Sequence, residues 1–208
     1  MSEQPTIKIR IDVDYPYPSS RAKSFLYIAL GIKRKGGENY LKNARDIAEM
    51  INKSSKKVRA YWFFTPYTIP DQKLLNLLNP ERHEVALHIA NDAEKELKQL
   101  EKETGRSIAY YTFHGTSNPF AQILWRRKIG QGQAEVPNNF PLKNFHELKT
   151  TSLDRRVFEA KNTVNEEAQK WAKDGTVIAI HPEWLYVRGE KNRRGPFCEA
   201  LKLLLGVN

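Results

Sequence analysis

Two carboxylates stand one residue apart in Ile11-Asp12-Val13-Asp14, and three of the five histidines, His88, His114 and His181, close short apolar runs further along the chain. Residues two apart on a strand share a face, so Asp12 and Asp14 can reach one point. Two adjacent carboxylates repel unless a cation or a proton sits between them. A divalent metal ion held by one, with the other left as a base, resolves that conflict. His88 offers a nitrogen ligand, and oxygen plus imidazole suits zinc or a similar divalent ion. Each residue also has a plainer reading. Asp-x-Asp serves turns and helix caps, a strand-end histidine is often a satisfied structural group, His-Pro can be a turn, and Trp184 can be core. His83 starts its strand and fits a structural role, and His146 lies in a stretch with little pattern. What favours chemistry is joint placement. In parallel α/β folds ligands gather at the carboxyl ends of strands, and these residues close four of them.

The elements that would carry them are legible. Ile7 to Val13 alternates, with Ile7, Ile9, Ile11 and Val13 on one face and Lys8, Arg10, Asp12 and Asp14 on the other. Further strands are predicted at Val58 to Phe64, Glu84 to Ala90, Ile108 to Phe113 and Val177 to Ile180. Helical spacing covers Glu38 to Asn52, Pro70 to Leu78, Asp92 to Thr104 with Gly105 as its C-cap, Asn162 to Lys173 and Pro196 to Leu205. A loop rich in Gly, Asn, Pro and Gln runs from His114 to Pro141, with one helix at Phe120 to Arg127, and residues 142 to 160 give no assignable element. Strand–helix alternation without a repeat or linker predicts one α/β domain over residues 1–208, a parallel sheet or barrel.

Composition narrows the function. Of 208 residues 40% are hydrophobic, enough for a core and too many for a disordered chain. No apolar run reaches the length of a membrane helix, and no basic segment followed by an apolar one marks a signal peptide. The one cysteine, Cys198, forms no internal disulfide, so a reducing, cytoplasmic setting is expected. Neither Gly-x-Gly-x-x-Gly nor a P-loop occurs. The net charge of +10 is spread along the chain, with clusters at Lys33-Arg34-Lys35, Arg126-Arg127-Lys128 and Lys191 to Arg194. It suits solubility or an anionic substrate. Sequence-specific nucleic-acid recognition is not expected, since no helix-turn-helix, zinc-finger or RNA-platform pattern accompanies it.

With these residues in order, the chain resembles the NodB-like polysaccharide deacetylases, carbohydrate esterase family 4, and most of all their divergent WbmS-like branch. The resemblance runs from residue 7 to residue 184 and implies a distorted parallel (β/α) barrel of about seven strands. It implies Asp12 as general base and Asp14 as metal ligand. His83-Glu84-Val85-Ala86-Leu87-His88 is similar to the second family motif, implying His88 as ligand. Val177 to His181 is similar to the last, implying His181 as general acid. The family's second metal histidine falls where Asp92 stands, so Asp92 is the expected third ligand, unless it caps the following helix and His114 takes its place. His114 stands where the family arginine steadies the base; Arg10, on the face of Asp12, is the other candidate for that task. The implied activity is hydrolysis of the N-acetyl amide of a sugar or glycan precursor by one divalent ion, zinc first, with manganese or magnesium tolerated. Trp184, Tyr67 and Tyr186 would stack on the sugar. A non-catalytic ligand-binding domain of the same family and a nucleic-acid-binding protein are the alternatives.

Overall fold

The computed structural model describes residues 6–18, 20–30, 37–113, 136–145, 148–153, 170–171, 173–185 and 196–207. Among them are seven strands: β1 (Ile7–Val13), β2 (Val58–Phe64), β3 (His83–Ile89), β4 (Tyr110–Phe113), β5 (Lys143–Asn144), β6 (Thr150–Ser152) and β7 (Val177–Ile180). The helices are α1 (Arg21–Ala29), α2 (Lys42–Lys53), α3 (Gln72–Leu77), α4 (Ala93–Thr104) and α5 (Pro196–Leu205). All strands join one parallel sheet in the order β5-β4-β3-β2-β1-β7-β6, curled into a half-barrel. The expected α/β class and parallel sheet are present; no ladder joins β5 to β6 among the described residues. No helix among them is long and apolar enough to cross a membrane.

Alternation along each strand splits the sheet into two unlike faces. The outer face carries Ile7, Ile9, Ile11, Val13, Trp62, Phe64, Val85, Leu87, Ile178 and Ile180. These pack with Ala44, Ile47 and Ile51 of α2, Leu74 of α3, Leu97 and Leu100 of α4, and Phe197 and Leu201 of α5 in one buried cluster. The inner face holds a smaller cluster of Phe63, Ala86, Phe145 and Val177, with Tyr61 and Tyr110 against it. The Phe145 ring lies 4.8 Å from Tyr61 and 5.1 Å from Phe63, in tilted and edge contacts. Arg10, Asp12, His88 and Thr112 lie on this same face toward the carboxyl ends, while Arg59 and Glu84 pair nearer the amino ends.

Several boundaries differ from the sequence reading, each for a local reason. The stripe from Tyr40 to Ile51 is buried as expected, but the helix begins only at Lys42, because Leu41 sits at φ 52°, in the left-handed region. Pro70 lies outside α3, whose N-cap is Asp71, accepting from Leu74 N. β3 begins at His83, and β4 at Tyr110 rather than Ile108. α1 occupies a stretch to which the hydrophobic pattern assigned no element; Ser20 caps it. β5 and β6 are two and three residues long, too short to show a period. The helix expected at Phe120 to Arg127 lies outside the described residues, as does most of that at Asn162 to Lys173.

Candidate active site

Asp12 lies on the inner face of β1, 4% exposed, one residue from the strand end. Arg10, two residues earlier on the same face and 7% exposed, grips it with both arms: Nε donates to Oδ1 at 2.8 Å and a terminal nitrogen to Oδ2 at 2.6 Å. Such a fork fixes the plane of the carboxylate as well as its charge. The guanidinium also rests over the Phe63 ring, 5.3 Å from its centroid. Burial is the largest influence on the Asp12 carboxyl and would raise its pKa. His88, the Arg10 charge and hydrogen bonds, and His181 outweigh it, so the group lies below the ordinary carboxylate range. Arg10 is thus one partner of the base; His114, the other one open to it, lies outside the described residues.

Asp14 follows the end of β1 and leans across β2. Its Oδ1 lies 3.3 Å from His88 Nε2. His88 is the penultimate residue of β3, 2% exposed, and its other ring nitrogen, Nδ1, pairs with Thr112 Oγ1 at 2.7 Å. Thr112 stands opposite His88 in the β3–β4 register and is fully buried. The main chain next to Asp14 is held locally. The turn after β2 is closed by Thr65 and Thr68, and the Thr68 hydroxyl donates to Val13 O at 2.6 Å, pinning the main chain between the two aspartates. His181 begins the segment after β7. Its Nε2 is 3.8 Å from Asp12 Oδ2 and 3.9 Å from Asp14 Oδ2, and its side chain is 29% exposed, the most accessible of the four.

Asp12, Asp14, His88 and His181 therefore converge, well inside the span that one reaction site allows. Asp92 has the other task open to it. It is exposed, and its Oδ1 accepts from Lys95 N at 3.0 Å as the N-cap of α4. The expectation that Asp92 points inward as a ligand gives way to this cap, because β3 ends in extended backbone and no helical turn joins His88 to Asp92. Glu96 completes the turn, accepting from the N–H groups of Ala90 and Asn91 at 2.8 and 2.9 Å. Burial still raises its pKa above the usual range. Tyr67 is half-buried after β2, and Trp184 is partly exposed in the 3-10 turn Pro182–Trp184. His114 and Tyr186 lie outside the described residues.

His83 sits at the far end of β3 and has a structural role. Trp62 Nε1 donates to its Nδ1 at 2.9 Å, so the proton is on Nε2, which faces Asn52 Oδ1 at 2.9 Å. Burial, with Arg106, Arg82 and Arg59 nearby, pushes its pKa down to about 4.

No group of three or more His, Cys, Asp and Glu side chains is arranged as a metal cage among the described residues. The pair Asp14–His88 still fits two corners of one. Ligands about 2 Å from a tetrahedral ion stand about 3.3 Å apart, and Oδ1 and Nε2 are 3.3 Å apart. Thr112 on Nδ1 is the outer partner that a ligating imidazole needs. Sequence reasoning missed Thr112, Thr68 and Asn43, whose importance depends on register and turn geometry. The chain matches no known protein family and no curated protein, so the site is read from its own chemistry.

Proposed function

We propose that this chain is a metal-dependent amide hydrolase of the NodB-like kind, removing the acetyl group from an N-acetylated sugar or glycan precursor. The single observation that carries this reading is the Arg10–Asp12 fork beside the Asp14–His88 pair, with His181 facing both carboxylates. One carboxylate is held ionised in a fixed plane; the other shares a point with an imidazole nitrogen. A divalent ion, zinc first, would be held by Asp14 and His88 and would supply Lewis-acid polarisation of the acetyl carbonyl.

The chain's own residues account for the proton movements. Asp12 takes a proton from the attacking water on a lone pair that Arg10 leaves open, since a carboxylate offers about four acceptor sites. Arg10 holds that carboxylate still and offsets its charge. His181 delivers a proton to the departing nitrogen, without which an amine leaves poorly. Thr112 orients the His88 ring. Tyr67 and Trp184 would stack on the sugar ring.

The test is acetate release from chitotetraose and from a nucleotide-linked N-acetylglucosamine, by chelated protein resupplied with zinc or manganese. Release that disappears in Asp12→Asn and in His88→Ala supports the reading. No release from either substrate with either metal rejects it in favour of a non-catalytic binding domain.

A further inference from the structure

The buried face of α2 carries Ala44, Ile47, Ala48 and Ile51, and one polar side chain, Asn43. An amide buried among apolar groups is costly unless its hydrogen bonds are made. Asn43 Nδ2 donates to Pro182 O at 2.8 Å, across 139 residues of sequence. Pro182 directly follows His181. Its ring forces the preceding residue into extended backbone, and His181 has φ −123° and ψ 128°. Trp184 N and Leu185 N close the same turn on His181 O and Pro182 O, each at 3.1 Å.

The start of α2 is tied to the other side of the site as well. Leu41 N donates to Pro16 O at 2.9 Å, two residues beyond Asp14. The Arg45 guanidinium holds Tyr40 O and Glu38 O, which keeps this turn in shape. One short stretch, Leu41 to Asn43, is thus bonded to the segment leaving β1 and to the segment leaving β7.

We infer that Asn43 is a positioning residue. It braces the peptide after His181 and so sets where the imidazole stands relative to Asp12 and Asp14. The role as part of catalysis rests on the hydrolase reading above; the brace itself does not. Displacing a proton donor by about 1 Å can cost on the order of a hundredfold in rate, so a loss of ten- to hundredfold in kcat is expected, with KM within about twofold.

The experiment compares Asn43→Leu, close in shape but unable to donate, with Asn52→Leu. Asn52 is on the same helix and also donates to a main-chain carbonyl, Leu77 O at 2.8 Å, away from the site. The readout is the Cε1–Hε1 resonance of His181, assigned with His181→Gln, together with kcat and KM for acetate release from chitotetraose. The brace predicts a displaced His181 resonance in Asn43→Leu and an unchanged one in Asn52→Leu. An unchanged resonance in Asn43→Leu, or an equal displacement in both variants, overturns it. If Asn43→Leu does not fold, Asn43→Ala carries the same measurement with the same two outcomes. A displaced resonance in Asn43→Leu, with a wild type that releases no acetate, upholds the brace and rejects the hydrolase.

Discussion

Asp14 Oδ1 and His88 Nε2 meet at 3.3 Å although β2 lies between their strands. In a flat sheet β1 and β3 would be about 10 Å apart, two strand spacings. The two side chains bridge that gap by reaching toward each other over β2, on the concave inner face of the half-barrel. Thr68, bonded to Val13 O, fixes the main chain from which Asp14 makes that reach.

Zinc titration of chelated protein should show one site that weakens by at least about tenfold in Asp14→Ala and in His88→Ala. Asp92→Ala should leave zinc affinity unchanged, because Asp92 is spent on the α4 cap. It should instead lower stability by about 1 kcal/mol, the usual cost of a lost N-cap. Calorimetric titration and urea unfolding check the two halves separately.

Thr112→Val keeps the shape of the side chain but removes the partner of His88 Nδ1. Losing such an outer partner typically costs ten- to a hundredfold in metal affinity. Zinc affinity should fall by that order, and Thr112→Ser should restore most of it. Equal affinity in wild type and Thr112→Val would count against a ligand role for His88.

Arg10→Met strands the Asp12 charge in a buried place. Breaking a buried pair from one side costs about 3–5 kcal/mol, so urea unfolding should show a loss of that size. The double variant Arg10→Met with Asp12→Leu removes both charges and should recover most of the stability while abolishing any acetate release.

His83 gives the fold a defined acid sensitivity. Its folded pKa is about 4, against 6.5 when unfolded. The native state thus stays neutral where the unfolded chain takes up a proton. The stabilisation is complete above pH 6.5 and declines as pH falls toward 4. The gap corresponds to about 3 kcal/mol. The difference in unfolding free energy between wild type and His83→Gln should therefore shrink by that order between pH 7 and pH 4.

Period-two alternation was enough to find β1 and to put Arg10, Asp12 and Asp14 on the face opposite Ile9 and Ile11, and short β-rich apolar runs were enough to find β2 and β7. The convergence of His88 and His181 on those aspartates was readable from strand ends alone. Three things were not. The start of α2 depends on the left-handed Leu41, a conformation that leucine rarely signals. The fate of Asp92 turns on whether extended or helical backbone follows β3, and both fit the residues. Asn43 and Thr112 act through partners 139 and 24 residues away, visible only once register and packing are known.

The central place of β1 also sets a schedule for synthesis. One edge of β1 pairs with β2, which begins at Val58, but the other pairs with β7, which begins at Val177. At about 5–20 residues per second, a growing chain would carry that second edge bare for roughly 8–30 s after β1 has left the ribosome. An uncovered central strand invites pairing with other chains. Lys8, Arg10 and Asp12, alternating with the isoleucines, put charge on that edge during the wait. His181 emerges directly after β7, so the site acquires its last member only when the sheet gains the neighbour that seals its first strand.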